Sequence, residues 1–570
     1  MASEPFLTDE QDAARSRCWG LTIGCLALLP ALSAVWLVPW FVTQDGPAHL
    51  YNAHIIARSA DPESPFRPYY KVRWSPLPNW SGHLVLAGLV SSLPPRSADR
   101  LMTSLTLVGM AASIAWLRWR VAGWRGMPMA ALAAVLLALN VTWLLGFSNF
   151  LLGACLFPVT LGVWWAGHER PWPGPVVALW ALVILGYFSH LVSLGLTVFG
   201  LAVLAGVTPG RVRLARAAWT AVGLAPLAVL GPLYLSLTRE GGGMSPVWGH
   251  LTDPLSPRSW FSHLGWIDPL SLGSKVILPF HATSDVRFAL LTPAFWAALA
   301  LVLAAVATLR GRRKGPEGRR AWAILSAALL LGGLASPDTL GVAHGHYLQQ
   351  RVVLLGLAAL MPALDLEAKG RAGRASAAAL GLALALQSAF VWDYARHSDR
   401  AVGTLMQARD AVGRGCRVAT LLNRIRGRFR ANPLMHADNL LGVGTGNILW
   451  TNYETRHYYF PVQFRPGVEH PDVAELEAIS LLDDPRAAAT RAERWHRLLA
   501  RHHAAIDVLV VWGTDPALDA ISARWFETIF REQEMRVLRH RGSSPSAASR
   551  PDPGVAKSGA ASNDGVEVPR

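Results

Sequence analysis

A single carboxylate followed by a histidine stands at the end of the first long apolar run of this 570-residue sequence. The run covers 18–42, and the next residues are Thr43-Gln44-Asp45-Gly46-Pro47-Ala48-His49-Leu50-Tyr51-Asn52. An ionised side chain at a membrane surface is costly unless it faces water, a partner or a substrate, so Asp45 is a candidate general base or metal ligand. The alternative is a helix N-cap before Pro47, and the two interpretations are compatible.

Three histidines follow Asp45 at positions that bear on the same chemistry. His49 lies one turn beyond Asp45, His54 lies further along the same predicted helix, and His83 belongs to a later apolar segment. Asp and His at this spacing could bind a divalent metal, but the ligand set is incomplete, so no metal ligand is assigned. We predict His49 and His54 as substrate contacts. The alternative is that each histidine is a polar group satisfied at the water boundary.

A second group of polar residues lies at the ends of later apolar runs. Arg351 opens one of them, and because its guanidinium fork matches phosphate oxygens, we predict that Arg351, His346 and Gln350 contact a phosphate. A snorkelling arginine at a helix end is the alternative. His190 and Glu240 are further predicted substrate contacts, for which the alternatives are helix packing and a solvated loop position.

The composition is that of a polytopic membrane protein with soluble parts. Hydrophobic residues make up 52% and charged residues 16%, whereas about 25% of the residues of a soluble globular protein are charged. The formal net charge of +15 raises the possibility of nucleic-acid binding. We exclude it because the arginines cluster in short loops between apolar runs, which is the positive-inside pattern. The four cysteines show no disulfide framework and no zinc-finger spacing.

A helix needs about 20 apolar residues to cross a bilayer, and this rule predicts about eleven spans within 18–392. They lie at about 18–41, 99–117, 127–146, 149–166, 174–188, 189–207, 217–236, 288–309, 321–336, 351–366 and 375–392. If the N-terminus, 1–17, is cytoplasmic, all basic loops face the cytoplasm. The outer loops 43–98, 237–287 and 337–350 and the chain after 393 then lie on the other side. Segment 80–93 is predicted as an interfacial helix that ends at Pro94.

The chain after 393 has the composition of a soluble domain. Buried strands are predicted at 417–422, 506–512 and 535–538, and a helix at 517–533, which together indicate a small α/β domain over 393–540. An aromatic cluster at 452–461 suits either sugar binding or docking of this domain onto the bundle. Residues 541–570 are rich in Ser, Pro, Gly and Ala, and we expect them to be disordered.

The layout resembles the GT-C superfamily of integral-membrane glycosyltransferases, which includes protein O-mannosyltransferases and the aminoarabinose transferases that modify lipid A. In that superfamily, an acidic motif ends the first span, and a Pro-rich aromatic stretch, an interfacial helix and an Arg-Leu start to the second span follow it. The matching segments are 45–52, Trp74-Ser75-Pro76-Leu77-Pro78-Asn79-Trp80, 82–93 and Asp99-Arg100-Leu101. This sequence departs from the pattern at Gly46, where the family usually has a second acidic residue.

The resemblance implies transfer of a sugar from a polyprenyl-phosphate-linked donor to a hydroxyl or amine outside the cytoplasm. Asp45 would deprotonate or orient the acceptor, which is a glycan, lipid or protein, and Arg351 would hold the lipid phosphate. Membrane lipids are expected partners, nucleic acid is not, and a bacterial inner membrane is the expected location. The alternatives are a transporter or flippase of lipid-linked sugars and a non-catalytic membrane scaffold. A polar pocket beside Asp45 that continues into a lipid-facing groove would favour the enzyme over the scaffold.

Overall fold

The computed structural model describes most of the chain. The described residues are 9–169, 173–208, 213–238, 266–273, 292–310, 318–339, 346–423, 425, 427, 429–482 and 485–542. Glu240, most of the outer loop 237–287 and nearly all of the predicted tail 541–570 lie outside these ranges.

The first 406 residues are mostly helical in the described ranges, and every predicted span coincides with one or two helices. In chain order the helices are α1 (Asp9–Leu37), α2 (Gly46–Ala57), α3 (Ser81–Ser92), α4 (Pro95–Ala122), α5 (Met127–Ala138), α6 (Val141–Leu144), α7 (Ser148–Gly167), α8 (Pro173–Ser189), α9 (Leu191–Val207), α10 (Arg213–Gly223), α11 (Leu227–Thr238), α12 (Pro293–Arg310), α13 (Arg319–Ala335), α14 (Leu348–Leu360) and α15 (Gly370–Met406).

The helices differ in whether they are long enough to cross a membrane. Within the described ranges, four helical segments are long and apolar enough, namely α1, α4, α7 and the continuous segment that contains α15. A fifth is obtained if α10 and α11, which are bent by 47° relative to each other, count as one broken span. The predicted count of eleven is therefore not confirmed, because the remaining apolar helices have only 10–17 residues.

The outward surface of several bundle helices is apolar. Leu21 and Leu29 of α1, Val177 of α8 and Phe199 of α9 are all exposed. Inside the bundle, small residues such as Ala31 of α1 are fully buried, and large aromatic side chains fill the spaces between helices. A bundle that is apolar both inside and outside is what a lipid environment requires.

The C-terminal region is an α/β domain, as predicted. Its strands are β2 (Arg417–Leu422), β3 (Ile448–Leu449), β5 (Val508–Trp512), β6 (Phe526–Glu532) and β7 (Met535–His540), in the spatial order β3-β2-β5-β7-β6. The first three strands are parallel, and β7 pairs antiparallel with both β5 and β6. Its helices are α16 (Arg409–Val412), α17 (Val473–Leu481), α18 (Ala488–His502) and α19 (Pro516–Ser522).

Two predicted boundaries of this region are wrong. The helix predicted over 517–533 ends at Ser522, and β6 follows it. Aromatic and β-branched residues favour the strand, and β6 pairs with β7 across a turn in which Gln533 has a φ of 48°. The boundary predicted at 393 falls inside α15, which continues to Met406 and carries the chain from the bundle into the domain.

The first outer loop and the C-terminal domain share a small sheet and a hydrophobic core. Strand β1 (Tyr70–Val72) of the loop pairs antiparallel with β4 (Val462–Phe464) of the domain, and the rings of Tyr70 and Phe464 stack at 4.9 Å. Tyr51 and Trp450, which are fully buried, belong to one continuous core cluster. The C-terminal domain is therefore packed directly against the segment that carries Asp45 and His49.

Candidate functional site

The backbone at Asp45 is held by the turn between α6 and α7. The amides of Gln44 and Asp45 donate to the carbonyls of Leu144 and Leu145, both at 3.0 Å. The side-chain Oε1 of Gln44 accepts a hydrogen bond from the backbone amide of Asn432, at 2.9 Å. The bundle and the C-terminal region thus fix this loop from two sides.

Asp45 occupies the N-cap position of α2, but its carboxylate does not cap the helix. Instead, Oδ2 accepts a hydrogen bond from the Tyr453 hydroxyl at 3.2 Å, and Oδ1 accepts one from Nε2 of Gln44 at 3.3 Å. Burial raises the pKa of Asp45 to about 6, while His49, Gln44 and Tyr453 act in the opposite direction. A carboxylate with a pKa near neutrality suits general base catalysis.

An aromatic pair from the C-terminal domain covers Asp45. The ring of His436 stacks on that of Tyr453 at 4.3 Å, and Nε2 of His436 lies 3.7 Å from Oδ1 of Asp45. Burial lowers the pKa of His436 to about 3, so His436 is neutral at pH 7 and the contact is not an ion pair. The pair therefore limits the access of water to the carboxylate without neutralising its charge.

Next to Asp45, one carboxylate is shared by two histidines. Glu454 is fully buried and contacts His49 through Oε1, 2.5 Å from Nδ1, and His83 through Oε2, 2.7 Å from Nε2. Burial alone would raise the pKa of Glu454, but the two histidines hold it below its usual value. Burial would lower the pKa of His49, but the charge of Glu454, its hydrogen bond and the charges of Asp45 and Asp99 together raise it.

A second carboxylate lies where the chain departs from the GT-C motif. Asp99 of α4 is buried, and its Oδ1 lies 3.3 Å from the point that a Cβ of residue 46 would occupy. A small cavity between Gly46, His49 and Asp99 separates this carboxylate from the cluster around Glu454. The chain thus carries no second acid at position 46 but places one beside it from another helix.

Arg351 lies in a separate buried environment at the start of α14. Its Nη1 is 2.9 Å from Nε2 of His190, and its guanidinium lies over the rings of Phe147 and Phe150, 4.7 and 5.0 Å from their centroids. Within the described part of the chain, no carboxylate lies within 4 Å of this guanidinium, and its Nε has no hydrogen-bond partner. A buried cation in this state is suited to an anionic ligand.

One cavity of about 900 Å³ joins Asp45 to Arg351. Its polar part is lined by Asp45, His49, His190 and Arg351, and the aromatic segment 457–460 of the C-terminal domain covers it. Its other part is lined by apolar side chains of α9 and α13 and reaches Phe199, which is 42% exposed. The cavity is therefore polar at one end and apolar at the end that faces the outside of the bundle.

Besides Asp45, four of the residues predicted as substrate contacts line this cavity, and two lie away from it. His49, His190, His346 and Arg351 line the cavity, and His346 also lies 3.6 Å from Asp338. His54 lies away from the cavity and accepts a hydrogen bond from the amide of Gly444 at 3.4 Å. Gln350 is fully buried, and its Nε2 donates to the carbonyl of Trp266 at 2.6 Å. Glu240 lies outside the described residues.

Besides His83 and Asp99 of the bundle, the residues that the sequence did not assign to the site come from the C-terminal domain. Tyr453 and Glu454 belong to the aromatic cluster 452–461, for which sugar binding and docking were both open. The described structure shows that this cluster docks on α2 and α3 and also lines the cavity. His436 carried no local signal, because it reaches Asp45 only through the fold.

Comparison with known proteins gives similarities of overall fold. No protein-family model and no curated protein matches the sequence. The arabinofuranosyltransferase AftD from Mycobacteria aligns with 92% of this chain at 16% identity and a TM-score of 0.48, and this chain spans 40% of its length.

Two further solved structures match most of the chain. ArnT from Cupriavidus metallidurans, bound to undecaprenyl phosphate, aligns with 91% of this chain and 97% of its own length, at 14% identity and a TM-score of 0.41. The oligosaccharyltransferase of Archaeoglobus fulgidus aligns with 90% of this chain and 73% of its own, at 13% identity and a TM-score of 0.41. Each of these matches is a similarity of overall fold, at 16% identity or less and a TM-score below 0.5.

Proposed function

We propose that this chain is a membrane glycosyltransferase that moves a sugar from a polyprenyl-phosphate-linked donor to an acceptor hydroxyl or amine. The observation that carries the proposal is the single cavity that holds the Asp45 carboxylate and the Arg351 guanidinium. This reaction needs two groups, namely a carboxylate that can take a proton and a cation that can hold a phosphate.

In the proposed reaction, each part of the cavity has a different role. Asp45 accepts the proton of the acceptor as its oxygen or nitrogen attacks the anomeric carbon of the sugar. The bond from that carbon to the phosphate oxygen breaks, and the lipid phosphate leaves with an additional negative charge. Arg351 stabilises that charge, while the apolar part between α9 and α13 accommodates the polyprenyl chain.

Several features of the protein's setting belong to the same proposal. The cavity faces the extracytoplasmic side of a bacterial inner membrane, with the N-terminus in the cytoplasm and the C-terminal domain outside. The acceptor is a glycan, a lipid or a protein. The aromatic segment 457–460 supports a sugar as the transferred group, because aromatic faces at the mouth of a cavity suit sugar rings as well as domain contacts.

The proposal is tested by comparing sugar transfer by purified wild-type and Asp45→Asn protein. Both are reconstituted with a panel of polyprenyl-phosphate sugars and with native membrane extract as the acceptor. General base catalysis contributes about 10²- to 10⁴-fold, so a loss of at least about 10²-fold is expected in the folded variant. Asp61→Asn is the matched control, because Asp61 lies in the same outer loop but not in the cavity.

The outcomes test the role of Asp45 separately from the glycosyltransferase function of the protein. Equal transfer by wild type and Asp45→Asn would retain the enzyme and exclude Asp45 as the base. The absence of turnover with every donor in the panel would contradict the enzyme and leave the transporter and the scaffold.

A further inference from the structure

Three buried side chains from distant parts of the chain converge at the base of the C-terminal domain. His49 of α2 and His83 of α3 meet Glu454, which lies in a short 3-10 helix (Tyr453–Arg456), more than 370 positions away in the chain. Glu454 is fully buried, His49 is 5% exposed and His83 is 1% exposed. A carboxylate buried this deeply stays ionised only if it has a strong partner, and removing that partner would destabilise the fold because it leaves an unpaired buried charge.

The types of these side chains form a recognised metal-ligand set. Two imidazoles and one carboxylate bind zinc in many proteins, with Zn–N distances of about 2.0–2.1 Å and similar Zn–O distances. One ligand atom of each of the three side chains lies within 4.8 Å of the others. A tetrahedral ion needs ligand atoms about 3.3 Å apart, so the contacts of 2.5 and 2.7 Å would open by less than about 1 Å.

The surroundings of His83 fit a ligating histidine. Ligating histidines usually donate their second ring N–H to a carbonyl or carboxylate. Nδ1 of His83 lies 3.3 Å from the backbone carbonyl of Asn79, while Nε2 faces Glu454. Nδ2 of Asn149 also lies 3.4 Å from Nδ1 of His83, and Oδ1 of Asn149 accepts a hydrogen bond from the amide of Gly82 at 2.7 Å. His83 therefore has one ring nitrogen placed by the protein and the other directed into the cluster.

We propose that His49, His83 and Glu454 bind one divalent ion of the zinc class, which fastens α2 and α3 to the C-terminal domain. Of the three ligands only His49 lines the large cavity, whereas His83 and Glu454 lie behind it, so the ion acts as a structural clamp at the edge of the cavity. This site is separate from the phosphate-binding role of Arg351 and does not depend on the proposed sugar transfer.

The first test is the zinc content of the purified full-length protein after growth with added zinc. Wild type is expected to carry about one ion per chain, and Glu454→Gln little or none, because an amide retains a polar contact to the histidines but is a poor zinc ligand. His54→Ala is the matched control, since His54 lies on the same helix but outside the cluster. Zinc-free wild type, or full zinc in Glu454→Gln, would overturn the proposal.

The second test asks whether the ion lies at the cluster or at Asp45. Asp45→Asn is expected to keep its zinc, and loss of zinc in that variant with retention in Glu454→Gln would place the ion at the catalytic carboxylate instead. Replacing zinc by Co²⁺ in wild type is expected to give the visible absorption of a four-coordinate cobalt site. Failure of wild type to bind either Zn²⁺ or Co²⁺ would mean that the three side chains form a hydrogen-bonded network only.

Discussion

At the scale of single residues, the protonation of Asp45 results from opposing influences. Burial favours the neutral acid, whereas the hydrogen bonds from Gln44 and Tyr453 and the charge of His49 favour the carboxylate. The charge of Glu454 acts weakly in the same direction as burial. With a pKa of about 6, Asp45 is mostly ionised at pH 7 and is still basic enough to take a proton.

Transfer is expected to increase as the pH rises through about 6, because a general base works only when it is ionised. Tyr453→Phe removes a hydrogen bond that stabilises the carboxylate, so the pKa of Asp45 rises and the transition moves to higher pH. A cation at the buried His49–His83–Glu454 cluster would shift the transition to lower pH, and transfer would still increase as the pH rises. The measurement is the pH–rate profile of both proteins between pH 4.5 and 8.

The control for this profile is Tyr458→Phe. It also removes a tyrosine hydroxyl, but the hydroxyl of Tyr458 is not bonded to Asp45. Its transition should coincide with that of wild type. A profile of Tyr453→Phe that also coincides with wild type would mean that Asp45 does not limit the rate.

Arg351→Gln is expected to weaken transfer by about 10- to 100-fold, because a charged hydrogen bond to phosphate is worth about 1.5–3 kcal/mol. The loss should appear mainly as a raised KM for the lipid donor if the contact exists before reaction, and as a lower kcat if it strengthens as the phosphate leaves. Steady-state kinetics over a range of donor concentrations separates the two. Arg96→Gln is the control, since Arg96 also lies over an aromatic ring, that of Trp40 at 3.9 Å, but outside the cavity.

At the scale of secondary-structure elements, the turn between α6 and α7 sets the position of Asp45. Gly146 in this turn has a φ of 78°, and a Cβ at this position would lie 2.5 Å from Oγ1 of Thr43. The same turn supplies the carbonyls that hold Gln44 and Asp45. The contact of this turn with the Asp45 loop depends on packing between α1, α4 and α7, which local sequence patterns do not contain.

Gly146→Ala is expected to lower both stability and transfer, and Gly123→Ala only stability. Each places a Cβ on a backbone with a positive φ, which costs about 1–3 kcal/mol. Gly123 has a φ of 73° and open space around its Cβ position, so it reports the backbone strain alone. In Gly146→Ala the clash with Thr43 also displaces the Asp45 loop. Melting temperature and transfer rate are measured for both, and equal activity losses would contradict this role of the turn.

At the scale of the whole molecule, the site is assembled from segments that are far apart in the chain. Asp45 and Arg351 could be chosen as candidates from the sequence, because polar residues at the ends of long apolar runs stand out against their surroundings, and the structure places both in one cavity. Glu454 was not assigned to the site, since it lies 405 positions from His49, and no local pattern indicates that they meet. The contact arises because β4 pairs with β1 and the C-terminal domain shares its core with α2.

If the C-terminal domain completes the site, locking it onto the outer loop should leave transfer intact. Lys71 and Gln463 are opposite each other in the β1–β4 pair, and Cα atoms of such a pair lie about 4.5–5.5 Å apart, within the range of a disulfide. Lys71→Cys with Gln463→Cys, in a background without the four native cysteines, should therefore cross-link on oxidation.

The control pair is Lys71→Cys with Arg465→Cys, which is two residues out of register and at about 7–8 Å should cross-link poorly. Cross-linking is read from the mobility of a chain cleaved between the two cysteines, and transfer is measured before and after reduction. Transfer that is unchanged by oxidation means that Tyr453 works from the docked position in which it bonds Asp45. A reversible loss on oxidation would mean instead that the domain must leave the loop in each turnover, and that the contact between Tyr453 and Asp45 belongs to one stage of the cycle only.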